Sequence, residues 1–352
     1  MELRLSATPE IVKLVARLDH VRGGWTADHS LPAERLQHLA SEVRLRSVAA
    51  AARMAGLRLT DGQVREVLEG PFDPVWIQPG EAAPVRAYAR VLASRFPATG
   101  LVSTEEIRRV HALAVGASEP TPWREGPLHH EEFVDGKATG RILHTLPPRF
   151  LKERTEDLVT WLEIELREAH HHPLLVIGGF VLAFLGASPF QLANGRTARA
   201  MAVGLLRRAG YAHVDYASLD AVVEDTRAGW FEGLGASATQ LWVGGANTEP
   251  WLAYFLDLLR RQADRAVEAI SVERSVLEFT RLQRSILEAV REHGTVGAGL
   301  LMSCTGANRN TLKDNLRRLV EKGMLERTGS RRGTRYRLAG APVGTTAEPT
   351  VH

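Results

Sequence analysis

Residues 174–187, Leu-Leu-Val-Ile-Gly-Gly-Phe-Val-Leu-Ala-Phe-Leu-Gly-Ala, carry no charge, hydroxyl or amide side chain. A helix over them is apolar on every face, so it has no side to turn to water and must be enclosed. At ~1.5 Å per residue it reaches ~21 Å, short of the ~30 Å hydrocarbon core of a bilayer. That makes it the central helix of a globular core, opened by Pro173, and the rest of the chain has to wrap it. The wrapping material is also helical in pattern. Residues 32–53 are rich in Ala and Arg behind a first-turn proline. Ser103-Thr104-Glu105-Glu106 reads as a capping box opening a helix towards Val115. Residues 151–169 place Leu158, Trp161, Leu162 and Leu166 at helical spacing. Residues 123–148 differ: Gly126, Gly136, Gly140, Pro147 and Pro148 predict a long loop holding a small β-hairpin.

Composition narrows the class. With 44% hydrophobic and 24% charged residues in 352, the chain has globular composition and length for two or three domains. A single cysteine, Cys304, excludes a disulfide framework and a multi-cysteine zinc site. It favours a reducing, cytoplasmic setting, and Cys304 itself reads as a small buried residue. No charged-then-apolar leader follows Met1, and no membrane segment is expected.

The net charge of +3 conceals an asymmetry. Residues 306–337 hold ten arginines and lysines against three acids, a balance of +7, which leaves −4 for the rest. A basic module on a mildly acidic body suggests a polyanionic partner for that module alone. The pattern there predicts helices over 282–291, 297–302 and 308–321, with a turn at 304–307. Two strands, 324–327 and 334–338, join through Gly329-Ser330-Arg331-Arg332-Gly333. Helix, turn, helix and basic hairpin resemble a winged helix-turn-helix, whose second helix enters the major groove of DNA. The candidate groove contacts are Asn308, Arg309, Asn310 and Lys313, with Arg331, Arg332 and Arg335 on phosphates. Protein docking is the alternative use of such a module. Residues 341–352 are expected to be a disordered tail.

The segment that carries chemistry follows the central helix: Ser188-Pro189-Phe190-Gln191-Leu192-Ala193-Asn194-Gly195-Arg196-Thr197-Ala198-Arg199. A loop with Pro, Asn and Gly runs straight into a helix predicted over 196–208. The first turn of a helix offers free N–H groups and a positive dipole end, a ready anion site. Arg196 and Arg199 are three apart and should project from one side, and Gly195 lets the backbone approach an anion. The bland reading is a capped helix with two surface arginines.

The loop resembles the motif of the Fic (Fido) proteins, His-Pro-Phe-x-Asp/Glu-Gly-Asn-Gly-Arg-x-x-Arg. Pro189, Phe190, Asn194, Gly195, Arg196 and Arg199 match in register. Further likenesses lie in His172-Pro173-Leu174, Phe184, His111, residues 140–148 and Pro250-Trp251-Leu252 with Phe255-Leu256. The resemblance implies a mainly α fold: a Fic-type helical bundle with a β-hairpin flap, followed by the winged helix-turn-helix. It divides the chain into an N-terminal helical region 1–95, a Fic core 96–270, the winged module 271–340 and the tail. It also implies transfer of AMP from ATP to a protein hydroxyl. Asn194, Gly195 and Arg196 would hold phosphates, Arg199 the γ-phosphate, and a flap over 135–145 would align the target.

Three departures weaken that implication. Ser188 stands where the family has its catalytic histidine, and serine is no base near neutral pH. Leu192 replaces the acidic residue that holds magnesium, and leucine cannot ligate a hard cation. Ala193 replaces a glycine. The family's inhibitory helix, Ser/Thr-x-x-x-Glu-Gly/Asn, aligns with residues 51–60, where Ala51 and Ala55 stand for its Ser and Glu. Arg199 therefore lacks a carboxylate from that source. The expectation is a phosphate loop without base or metal ligand: a nucleotide- or phospho-ligand-binding, DNA-binding regulator. An active transferase with different chemistry and a docking scaffold are the alternatives. His170, His171 and His172 read as a surface cluster at a helix start, too far from the loop to replace its base. His129, His130 and His144 lie around the hairpin, where spacing does not place them.

Overall fold

The computed structural model describes residues 3–5, 7–26, 31–78, 80–94, 96–97, 100–134, 137–238, 241–242, 246–277, 280–329 and 333–339 (backbone alone for 26, 132–134, 137–138, 141 and 275–277). The chain divides into two compact units, Met1–Ile270 and Ser271–His352.

The first unit is helical with one hairpin. Its helices are α1 (Pro9–Thr26), α2 (Ala33–Met54), α3 (Asp61–Glu69), α4 (Ala82–Ala93) and α5 (Thr104–Val115). The hairpin of β1 (His129–Val134) and β2 (Lys137–His144) follows. Then come α6 (Leu151–Glu168), α7 (Pro173–Ala187), α8 (Asn194–Arg208), α9 (Leu219–Asp225), α10 (Arg227–Ala238) and α11 (Glu249–Leu277), the last of which continues past Ile270 into the second unit. As its composition requires, α7 is the centre: every residue from Leu174 to Ala187 is buried, with α6, α8 and α10 packed against it. His172 caps it, Nδ1 accepting from the Leu174 N–H, while its Nε2 meets Asp19 at 3.0 Å. A glycine lets a neighbour close in on α7. Trp251 of α11 donates its Nε1–H to the Gly178 carbonyl at 2.8 Å, and a Cβ on Gly178 would lie 2.8 Å from Leu252.

Most predicted elements form. Ser103 caps α5 by accepting from the Glu106 N–H, while the Glu106 carboxylate pairs with Arg109. The hairpin falls within 123–148 as expected, with His130 opposite Leu143 and His129 opposite His144. Helix α8 begins two residues before the predicted start, at Asn194.

The second unit contains α12 (Arg281–His293), β3 (Val296–Gly297), α13 (Ala298–Thr305), α14 (Arg309–Glu321), β4 (Leu325–Thr328) and β5 (Arg335–Leu338). Thr280 and Gln283 form a reciprocal capping box at α12. Ile286, Leu287, Val290, Leu301, Leu312, Leu316 and Leu319 make a separate core, and the strands form an antiparallel sheet in the order β3-β5-β4. The buried reading of Cys304 is corrected: it is exposed. In so short a helix only one face reaches the core, where Leu301 is buried and Met302 packs partly buried beside it. Arg331, Arg332 and the tail 341–352 lie outside the described residues. Among the described residues no helix is long and apolar enough to cross a membrane.

Candidate functional site

The loop between α7 and α8 is built by backbone geometry that its residues would not choose alone. Ser188 ends α7 at φ 43°, ψ 66°, and Ala193 precedes α8 at φ 60°, both left-handed. Non-glycine residues take this region rarely, and here the surroundings hold them there. Phe190 is buried, with the His111 ring stacked on it at 3.7 Å between centroids. His111 Nε2 lies 2.9 Å from the Leu192 carbonyl and Nδ1 2.6 Å from Thr121 Oγ1. A carbonyl only accepts, so Nε2 carries a proton, while the Thr121 hydroxyl donates to the Arg108 carbonyl at 3.2 Å. Burial pushes the His111 pKa down, in keeping with a neutral ring.

Arg124 is the brace that sequence reasoning missed. Buried, it donates through Nε to the Ser188 carbonyl at 2.7 Å, and through its Nη groups to Gly126 and Ala187 carbonyls and to Thr145 Oγ1 and the Leu146 carbonyl. These acceptors include the carboxyl end of α7, where the helix dipole favours a cation. The two ends of the flap are thereby clamped to the loop. Nothing in a Gly/Pro-rich stretch announces this role, because the partners are carbonyls, which every residue has.

The expected phosphate ligands divide in space. Asn194 is buried and turned into its own loop, its Oδ1 accepting from the Phe190 N–H at 3.0 Å and its Nδ2 donating to the Phe190 carbonyl at 2.7 Å. Arg199 was expected beside Arg196 facing the ligand. It is instead buried, with Nε 2.6 Å from Asp220 Oδ1. Tyr88 donates to the same carboxylate at 2.9 Å. Burial pulls the Arg199 pKa down, but the Asp220 charge and hydrogen bond outweigh it and leave it raised. Ala55 indeed gives Arg199 no carboxylate; Asp220, from α9, supplies one.

Arg196 remains. It is partly buried, with no ion pair or side-chain hydrogen bond to its guanidinium among the described residues, and burial lowers its pKa. It lines a cavity of about 190 Å³ with Tyr88, Ala51, Ala52 and Ala55. The α8 N-terminus beside it has no side-chain cap, and a Cβ on Gly195 would sit 3.1 Å from the Arg199 guanidinium. A larger cavity of about 580 Å³ runs along α2 and α8 and reaches Asp220 but not the loop. Residues 188–199 hold no carboxylate, and Leu192 is 56% exposed. This loop therefore does not fit a magnesium ion. Among the described residues no group of three or more His, Cys, Asp or Glu could hold a metal.

Ser188 is fully buried, its Oγ 2.6 Å from the Leu185 carbonyl and 2.8 Å from His130 Nε2. Strand alternation explains why His130 arrives and His129 does not. His130 pairs with buried Leu143, while His129 and its partner His144 are both exposed. The other histidines stay apart: His171 meets Glu165 and His172 meets Asp19.

In the second unit Asn308 caps α14, accepting from the Thr311 N–H at 3.0 Å. Arg309, Asn310 and Lys313 are exposed on α14, and Arg335 is exposed on β5.

No family model matches the chain by sequence, and no curated protein matches it. Solved structures do match. A Fic family protein from Desulfovibrio desulfuricans superposes with a TM-score of 0.61 at 23% identity, covering 97% of this chain and 99% of that one. A Fic domain containing signaling protein from Bacteroides thetaiotaomicron gives 0.57 at 16% identity, over 74% of this chain and 96% of its own. Fic-1 from C. elegans, residues 134–508, gives 0.58 at 19%, over 75% and 73%. The chain has the Fic fold: a mainly α bundle with a small hairpin flap.

Proposed function

We propose that the α8 N-terminus binds the phosphate of a nucleotide or another phosphorylated small molecule, and that the second unit binds DNA. The chain is then a ligand-responsive regulator on a Fic fold. The observation that carries the ligand half is Arg196: a partly buried cation without an ion partner among the described residues, beside an uncapped helix start. Burying an uncompensated charge is unfavourable, and an anion at that point relieves it. Asn194 and Arg199 act behind it, holding the loop and the helix rather than touching the ligand. The basic face of α14, carrying Arg309 and Lys313, supports the DNA half.

Titration calorimetry with ATP, ADP and other nucleotides tests the ligand half. Arg196→Ala removes a charge-assisted contact of ~1.5–3 kcal/mol, so affinity should fall ~10–100-fold. If no phosphorylated ligand binds the unaltered protein, the reading fails.

A second reading, a transferase moving AMP from ATP to a hydroxyl of a protein held at the flap, is favoured by the imidazole beside Ser188. Incubation with α-labelled ATP and cell lysate should then label a target protein.

A further inference from the structure

We propose that His130 is the proton acceptor of this site, its Nδ1 kept bare by the hydrogen bond that its Nε2 gives to Ser188. The flap thus supplies the imidazole that the loop lacks. This rests on the transferase reading above.

The tautomer follows from one hydroxyl. The Ser188 Oγ lies 2.6 Å from the Leu185 carbonyl oxygen, which can only accept, so the hydroxyl proton goes there. Only lone pairs are left on Oγ to face His130 Nε2 at 2.8 Å. Nε2 must therefore carry a proton, and in the neutral ring Nδ1 holds the free lone pair. No hydrogen bond to Nδ1 is found among the described residues. The same bond denies Ser188 a nucleophile's role, because its proton points to a carbonyl and not to a base. Ser188 is a positioning residue, and its own backbone is fixed by the Phe184 carbonyl and by Arg124.

The electrostatics agree. Burial, then the Arg124 charge, then His129 push the His130 pKa below the ordinary histidine value. The ring is neutral near pH 7 and able to take a proton. In the step it serves, the oxygen of a target hydroxyl bonds to the α-phosphorus of a nucleoside triphosphate. The bond from that phosphorus to the pyrophosphate oxygen breaks with its electron pair, and pyrophosphate leaves. The hydroxyl proton passes to Nδ1 and is later released to water.

Two measurements on the full chain test this. Long-range ¹H–¹⁵N spectra of ¹⁵N-histidine protein should show His130 protonated at Nε2 and bare at Nδ1. Protonation at Nδ1 with a bare Nε2 overturns the proposal. Transfer from α-labelled ATP is then compared across pH. His130→Gln keeps a donor towards Ser188 but has no imidazole lone pair, so the rate should fall ~10²–10⁴-fold and lose its acid limb. Ser188→Ala should lower the rate less than His130→Gln does, shift that limb and mix the two tautomers in the spectra. If His130→Gln transfers as well as the unaltered chain, the base assignment falls and the transferase reading stands. If the unaltered chain transfers nothing at any pH, both fall, even with the expected tautomer.

Discussion

Asp220 lies in the first turn of α9, its side chain 2% exposed, accepting from both Arg199 and Tyr88. Removing one partner of a buried ion pair leaves the other charged and unmatched, a loss of ~3–5 kcal/mol. Asp220→Ala should therefore destabilise the protein strongly in urea unfolding, whereas Arg199→Met with Asp220→Leu should recover most of the loss. A second residue sets the response to acid. His213 is buried near Trp25 and Tyr211, its Nδ1 has no hydrogen-bond partner among the described residues, and burial pushes its pKa from 6.5 to about 4. The unfolded chain takes up a proton near pH 6.5 where the folded chain refuses it. Stability is thus whole above pH 6.5 and declines as pH falls towards 4, by about 3 kcal/mol for this group. His111 and His130, also lowered, add to the same decline. Unfolding midpoints at pH 7 and pH 4.5 should differ less in His213→Phe than in the unaltered chain. Neither residue was legible in the sequence. Asp220 is an ordinary first-turn acid until the fold sets Arg199 against it, and a histidine's burial is a tertiary property.

At the scale of elements, Gly178 shows how packing can reverse a local preference. Alanine in a helix interior is better than glycine by ~1 kcal/mol. Here the added Cβ would meet Leu252 at 2.8 Å and Phe255 at 3.0 Å, both buried in α11. Overpacking of this kind amounts to ~1–3 kcal/mol, so Gly178→Ala should lower the thermal midpoint rather than raise it. Helices were legible wherever an amphipathic or wholly apolar stripe outlasted two turns, as in α6, α7 and α14. The start of α8 was misread because Asn194 belongs to loop and helix at once, tied back to Phe190 by two hydrogen bonds. The hairpin's existence was legible from its glycines and prolines, but not which of its two histidines turns inward. That depends on register, and a shift of one residue exchanges the faces.

At the scale of the whole molecule, the two units have separate apolar cores, and the positive charge is concentrated in the second. DNA binding through this unit predicts a strong salt dependence, each phosphate contact contributing ~0.9 to the slope of log affinity against log salt. Fluorescence anisotropy of a labelled duplex at several salt concentrations should give a slope smaller by about 1 when Arg335, an exposed candidate phosphate contact, is changed to alanine. A salt-independent interaction would instead favour a protein-docking module.

The enclosed helix, the bundle around it, the hairpin and the loop with its Fic-like residues can all be read from the chain alone. These follow from short-range pattern: apolar periodicity, caps, and glycine or proline at turns. What the loop's residues do becomes definite once the elements pack, and the packing is what assigns their partners. It took Arg199 for Asp220, turned Asn194 inward, left Arg196 beside a cavity and brought His130 to Ser188. The reason is that a side chain's partner is chosen by distance in space, and pairs such as Arg199 with Asp220 or His130 with Ser188 are joined only when separate elements pack.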